Sequence, residues 1–300
     1  MLNIKTGIIG LFIGSSLMFG CKSDPGKTTG EATQDTLALK FDTGMLQNVG
    51  DIIKTVPSPV EIATLVKKSG ANFNAKMLNP AQNAAKYTKT YKQGLNMGVY
   101  GADLGYAALY SQTQESRSLL EAVNKLGTAL NILGAFELET IKGVEANLDK
   151  PDSLIQLVTE QFKMADAHLK QTDRADIGIL VMAGGWVEGL YLSTQLIKAK
   201  SNPAIETRVG EQKVSLGSLI ALVETYKDKE GFVDLAKDLN DLKASFDKVT
   251  ISYEEAAPNT KKSGDTAELT INTKSKVEIS KEVMAEITKK IEAFRNKIVS

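Results

Sequence analysis

Gly94-Leu-Asn-Met-Gly-Val-Tyr-Gly-Ala-Asp-Leu-Gly-Tyr106 and Gly178-Ile-Leu-Val-Met-Ala-Gly-Gly-Trp-Val-Glu-Gly-Leu-Tyr191 are the stretches that decide how this 300-residue chain folds. Both lie in segments whose apolar residues recur every three to four positions, the period of a helix. Glycine inside a helix costs ~1 kcal/mol relative to alanine, so several together need a packing reason. At ~100° per residue, Gly94, Gly98, Gly101 and Gly105 fall within about 60° of one another. Gly178, Gly185 and Gly189 likewise share a face. Small residues three and four apart let two backbones approach closely. The spacing predicts that these helices cross each other, or a third helix, at the centre, with Gly101, Gly105, Gly185 and Gly189 marking the contact.

Outward from these stretches the pattern is helical almost throughout, which predicts an all-α multi-helix bundle. Ser58-Pro59-Val60-Glu61 is a capping box with proline at the first helical position. Further helices are predicted from Asn79-Pro80, over Lys89 to Gln112, Glu115–Leu133, Phe136–Leu148, Pro151–Gln171 and Arg174 to Lys200. Asn202-Pro203 opens a short one, followed by Ser215–Lys227 and Phe232–Val249. Ser280 caps the last, Lys281–Val299, with Val283, Ile287, Ile291 and Phe294 or Ile298 on one face. One segment breaks the pattern. Leu269, Ile271, Val277 and Ile279 share one parity, which predicts a strand or small hairpin near 267–280, turning at Asn272–Ser275. Residues 57–256 carry no such alternation and are expected to be helical. Asp103, Glu188, Arg174 and Asp176 interrupt the apolar runs before ~20 uncharged residues accumulate, so neither glycine-rich helix reads as a membrane span.

The two glycine-rich segments also resemble each other. Gly101-xxx-Gly105-Tyr106 matches Gly185-xxx-Gly189-Leu190-Tyr191 at an offset of 84. Each is followed by a Leu/Val/Ala-rich helix and then an amphipathic one. A single domain over 55–300 composed of two similar halves, about 80–170 and 174–250, is consistent with this. The Trp186-x-x-Gly189-x-Tyr191 run resembles part of a tetratricopeptide helix, but no 34-residue period accompanies it.

Charges on otherwise apolar central helices are seldom left unpaired. Asp103 and Glu188 therefore point to solvent, to a basic partner, or into a polar cavity. Asp103 is expected opposite the glycine face, near Asn96 and Tyr110. Tyr87, Tyr91, Tyr100, Tyr106, Tyr110, Trp186 and Tyr191 cluster near the same helices, and aromatic walls with a few fixed polar groups describe a small-molecule pocket. They equally describe a core whose hydroxyls reach its edge. Asp103, Glu188, Trp186, Tyr106 and Tyr191 are the candidate ligand-pocket residues.

Composition removes several chemistries. The chain has one histidine, His168, and one cysteine, Cys21. Zinc sites built on several His or Cys ligands cannot be assembled, and His168 lies in a helical pattern with no nucleophile-elbow motif to support a triad. No metal, cofactor or catalytic residue is expected. Charges balance at 36 basic against 36 acidic residues, so no field favours nucleic acid. With one cysteine, no internal disulfide can form.

Cys21 carries its own signal. Residues 1–20 hold one charge, Lys5, and Gly7 to Phe19 is an apolar run of 13 residues. At ~1.5 Å per residue that helix is about 20 Å long, too short for a ~30 Å hydrocarbon core. A short positive start, an apolar run and a small residue at the cut make a secretory signal. Gly26-Lys27-Thr28-Thr29 is not a phosphate loop, because Cys21 stands where the first glycine would be and no strand precedes it. The Gly/Ser/Thr/Pro-rich residues from Lys22 to Glu31 have the composition of a flexible tether.

Leu17-Met18-Phe19-Gly20-Cys21 resembles the lipobox of bacterial lipoproteins. The resemblance implies cleavage before Cys21, acylation of its sulfur and new amino group, and a bilayer as first partner. Residues 1–20 are then a signal peptide and 21–54 a lipidated cysteine with a mostly flexible tether. Lys22 rather than Asp after the cysteine implies, by analogy, an outer-membrane anchor without saying which face. The Gly-Val-Tyr-Gly-Ala-Asp-Leu-Gly-Tyr-Ala run downstream resembles outer-membrane lipoproteins with all-helical bodies. That resemblance brings no activity or site residues. The expected function is non-enzymatic binding of an envelope protein or small ligand. The alternatives are a carboxylate/Tyr-based envelope enzyme and a structural envelope protein.

Overall fold

The glycines behave as a packing device. In the computed structural model, which describes residues 72–132, 143, 146–147, 150–254, 259–263, 266–270 and 274–300, the two glycine-rich segments form α1 (Thr90–Leu109) and, later in the chain, the 25-residue helix Ala175–Ala199. The latter is α4, after α2 (Thr113–Ala129) and α3 (Pro151–Gln171). α1 and α4 form the most extensive pairing in the fold. A Cβ on Gly98 would press into the Val181 carbonyl and stand 2.6 Å from the Gly185 nitrogen. One on Gly184 would press into the Leu95 carbonyl. Backbone therefore touches backbone, which only glycine permits. The third-helix alternative holds as well, because Gly101 lies under the Phe162 ring of α3.

On α1 the crossing is centred at Gly98, about one turn before the expected Gly101; on α4 it includes the expected Gly185, whose Cβ would stand 3.4 Å from the Gly98 carbonyl oxygen. Gly184, absent from the predicted face, makes the closest approach on α4. The contact is also reciprocal: Gly98 sits on the residue three before Gly184, and Gly184 on the residue three before Gly98. That local two-fold relation pairs positions 86 apart, not 84. The later helices are arranged less evenly. α3 packs on α1 and α4, whereas its counterpart α6 packs on α5 and α7.

The remaining elements wrap this pair. α5 (Pro203–Glu224) lies on α4, and α6 (Phe232–Phe246) lies on α5. α7 (Lys281–Val299) closes the bundle against α4, α6 and α1. Buried leucine, isoleucine, valine and aromatic side chains from all seven helices form one continuous core. α4 has the length and apolarity of a membrane span, but most of it is buried among its neighbours. Local signals set the boundaries. Asn202 Oδ1 accepts hydrogen bonds from the Ala204 and Ile205 nitrogens, with Pro203 at the first helical position. Ser280 Oγ accepts from the Val283 nitrogen. Gly231, at φ +85°, turns the chain into α6 directly beneath the Tyr91 ring.

Three expectations differ from the structure. Asn79-Pro80 opens a 3-10 turn, Ala81–Ala85, rather than an α-helix. The two helices predicted over 203–227 are one, because α5 continues through Gly210, over which the Val277 side chain inserts. The β structure is larger than a hairpin over 267–280. β1 (Thr250–Glu254) pairs antiparallel with β4 (Lys274–Glu278), and β2 (Asn259–Ser263) with β3 (Thr266–Thr270). The partner of Val277 is Ile251, 26 residues upstream, and not a strand beyond a turn at Asn272–Ser275. Ile251, Val277 and Ile279 turn their apolar face to the helices, which stabilises a pair that would be marginal alone. The helices predicted after Ser58 and over Phe136–Leu148, the signal peptide and the tether lie mainly outside the described residues.

Gly98→Ala should lower the melting midpoint. The added methyl has no room, and overpacking costs ~1–3 kcal/mol against a helix-propensity gain of ~1 kcal/mol. Gly217→Ala is the control. Gly217 is exposed on α5 and a Cβ there meets nothing within 4 Å, so only propensity acts. Its midpoint should rise by a few degrees, at ~2–4 °C per kcal/mol for a domain of this size. Thermal melts of both variants beside the parent check the pair.

Candidate functional site

The crossing places two acids face to face. Asp103 on α1 and Glu188 on α4 are both 0% exposed, and their carboxyls lie close enough for each to act on the other's titration. A cation meets them from α7. Arg295, 7% exposed, donates from Nε to Glu188 Oε2 at 3.0 Å and from Nη2 to Glu188 Oε1 at 3.2 Å. Its guanidinium lies 4.8 Å from the centre of the Tyr191 ring. This is a two-pronged ion pair, the geometry in which arginine binds a carboxylate best.

A strap of chain over 72–80 covers the cluster. It is irregular apart from a 3-10 turn at Ala75–Met77. The Asn79 nitrogen donates to Asp103 Oδ2 at 2.9 Å, and the Met77 carbonyl accepts from Arg295 Nη2 at 3.2 Å. Asn79 Nδ2 donates to Tyr87 Oη and to Asn96 Oδ1, and Asn83 Nδ2 donates to Asn79 Oδ1. The Tyr100 hydroxyl donates to the Pro80 carbonyl, and the Asn74 nitrogen to Tyr106 Oη. The same polar shell caps the end of α7. Tyr87 Oη donates to the Val299 carbonyl, and Asn96 Nδ2 to that of Ile298.

Charge counting fixes the protonation state. Two carboxylates and one guanidinium would leave one uncompensated negative charge in a dry interior, which is costly. Asp103 Oδ1 finds no donor; it faces Glu188, an acceptor. The contact is satisfied when Asp103 carries a proton and donates it. Burial, and next the Glu188 charge, push the Asp103 carboxyl well above its usual range. Burial also raises Glu188, but the Arg295 charge and hydrogen bonds pull it back. The proton therefore rests on Asp103. Burial would lower Arg295, yet the Glu188 charge overrides it and the guanidinium stays ionised. Burial raises the phenols of Tyr87, Tyr100, Tyr106 and Tyr191, so they remain neutral.

Of the five residues singled out from sequence, the structure brings Asp103, Glu188 and Tyr191 together, with Tyr106 at the margin. Tyr106 stacks on Phe73 with ring centres 5.3 Å apart, and on Tyr110 at 5.1 Å. Trp186 belongs elsewhere. Two positions from Glu188 on a helix, it projects ~200° away and donates from Nε1 to Gln212 Oε1 on α5 at 3.0 Å. Of Asp103's two predicted neighbours, Asn96 does share the cluster, while Tyr110 joins the aromatic stack. His168 is half-buried on α3. Tyr87 and Tyr100, expected among the aromatic residues near these helices, do join the cluster; sequence reasoning missed Arg295 and the role of Asn79. Arg295 had left a trace: it lies four residues after Ile291 and three before Ile298, inside the apolar stripe of α7.

Among the described residues no group of three or more His, Cys, Asp or Glu side chains is placed to hold a metal. No protein-family model, curated protein or solved structure matches the chain.

Two substitutions should separate the partners. Asp103→Asn replaces the protonated acid with an amide that accepts from Asn79 and donates to Glu188. It should fold with little loss. The sign of its pH dependence follows from the raised pKa. The stability that protonated Asp103 contributes is complete below the unfolded value of ~3.9 and is lost as pH rises through the folded one. The variant's stability relative to the parent should therefore increase with pH. Arg295→Met leaves the buried Glu188 carboxylate, beside protonated Asp103, without a cation and should cost ~3–5 kcal/mol near neutrality, with partial recovery as acid protonates Glu188. Denaturant titrations between mildly acidic and mildly alkaline pH test both.

Proposed function

We propose that this chain is a lipid-anchored envelope protein, tethered through acylated Cys21, whose helical body works by non-covalent binding of a protein or small ligand. The observation that carries the anchor is the 13-residue apolar run ending at Gly20-Cys21 with a tether-like stretch behind it. One acyl chain holds a membrane only marginally, while two or more anchor stably, and lipoprotein processing puts several on one residue. An outer-membrane location follows from Lys22 by analogy.

For binding over catalysis, the support is the closure of the carboxylate cluster. Asp103 and Glu188 have the raised pKa values that acid–base catalysts use, but structural ion-pair networks raise them too. Here both are fully buried, with both Glu188 oxygens held by Arg295, Asp103 Oδ2 held by the Asn79 nitrogen, and Asp103 Oδ1 turned to the interior beside Glu188. A catalytic acid must come within hydrogen-bond reach of a reacting group, and nothing outside the chain reaches these.

Cys21→Ser should abolish incorporation of a palmitate analogue. It should also move the protein to the soluble fraction or leave it as a longer, unprocessed precursor. Processing with retention in the membrane would overturn the anchor. The enzyme alternative has its own test. Asp103→Asn keeps the fold but cannot give up a proton, so any activity of the parent that it loses while its melt is unchanged would favour catalysis.

A further inference from the structure

Among the described residues the irregular cover over the Asp103–Glu188–Arg295 cluster is the strap, and the cluster is short of one positive charge unless it holds a proton. We propose that Asp103 and Glu188 form a buried one-proton site that latches the 72–80 strap, which closes while the proton is bound and lifts when it is lost.

The groups facing Asp103 come from every element around it. They are Glu188 and Tyr191 from α4, Arg295 from α7, Asn79 and Tyr87 from the chain before α1, and Asn96, Tyr100 and Tyr106 from α1 itself. Arg295 is the one cation among them, and Glu188 occupies two of its donors. Loss of the proton leaves a second carboxylate that must reach water.

The α1–α4 crossing cannot open to admit water without separating two backbones in direct contact at Gly98 and Gly184. α7 is fastened by the Arg295–Glu188 pair and by the hydrogen bonds of Tyr87 and Asn96 to its last turn. The strap has no helix of its own beyond one 3-10 turn. Among the described residues four hydrogen bonds tie its backbone to side chains of the helices, two of which end on the cluster itself. Lifting it uncovers Asp103 directly, so the strap is the element that yields. If Cys21 is anchored as proposed, the nine released residues also add up to ~30 Å of reach on the N-terminal side of the body. The latch itself does not depend on the anchor.

Amide hydrogen exchange of the full chain across neutral to alkaline pH tests this. Rates are corrected for intrinsic base catalysis and read at Leu78 and Asn79 in the strap and at Val99 in the middle of α1. Protection at Leu78 and Asn79 should fall about tenfold per pH unit once the proton is being lost, the slope for one linked proton, while Val99 stays protected. Asp103→Asn should hold the strap closed at every pH. Three results overturn the proposal. Protection of Asn79 that rises with pH would show an ionised Asp103 gripping its N–H harder. Loss at Leu78 and Val99 in step would mean global unfolding. A flat profile in the parent would mean that no proton is released. Infrared spectra of the parent give a second readout: the carbonyl stretch of a protonated carboxylic acid should be present at neutral pH and fade over the range in which the strap opens, and its absence at neutral pH also overturns the proposal.

Discussion

Direct contact between the backbones of α1 and α4 is the constraint on which the rest of the structure depends. At Gly98 and Gly184 each helix presents a bare Cα to a carbonyl of the other. A helix pair at ordinary spacing leaves 8–10 Å between axes for side chains to fill; here that layer is missing. The consequence is felt one turn further along. About one turn beyond the crossing, Asp103 and Glu188 are both fully buried beside each other. Acids brought together this way cannot turn out to water, so a cation has to come to them.

Arg295 is that cation, and its arrival explains why α7 closes the bundle where it does. Interleaved surface pairs also link α7 to the neighbouring chain, Lys290 with Asp241 and Lys248 with Glu286. Exposed pairs of that kind contribute little each. The buried pair differs in kind. A buried ion pair is seldom better for stability than well-packed apolar residues, but breaking it is severe. It sets register: α7 can dock in the position that places Arg295 on Glu188, and a slip of one turn would strand both charges. The strap is fixed by the same atoms, since the Met77 carbonyl and Asn79 nitrogen bond to what Arg295 and Asp103 have left over.

What could be read from the sequence follows from this hierarchy. The glycine faces were legible because helical period and residue size suffice to show them. Asp103 and Glu188 were legible as anomalies on apolar helices. The exact contact was not, because two glycine faces one turn apart differ in register, and register is decided by the residues on the other helix. Arg295 was hidden among ordinary amphipathic spacing, where a long basic side chain at the edge of a stripe usually snorkels to water. The role of Asn79 was hidden for another reason: it acts from irregular chain, where period carries no information. β1 was missed because Thr250-Ile-Ser-Tyr-Glu254 is short and its partner lies more than twenty residues away.

The filled centre changes how the sequence features bear on function. A charged residue on an apolar helix suggests a pocket when the helices are taken one at a time. Once the crossing is known, the same residue reads as a consequence of packing: two acids trapped by close helices, a base recruited to neutralise one, and a proton required to neutralise the other. The polar residues left over from that arrangement, Asn79, Asn96, Tyr87 and Tyr100, are spent on the strap and on the exposed carbonyls of α7. Each has a partner inside the chain and none is held ready for a ligand in the closed form. The cluster in turn fastens the strap to the body, through the Asn79 nitrogen and the Met77 carbonyl.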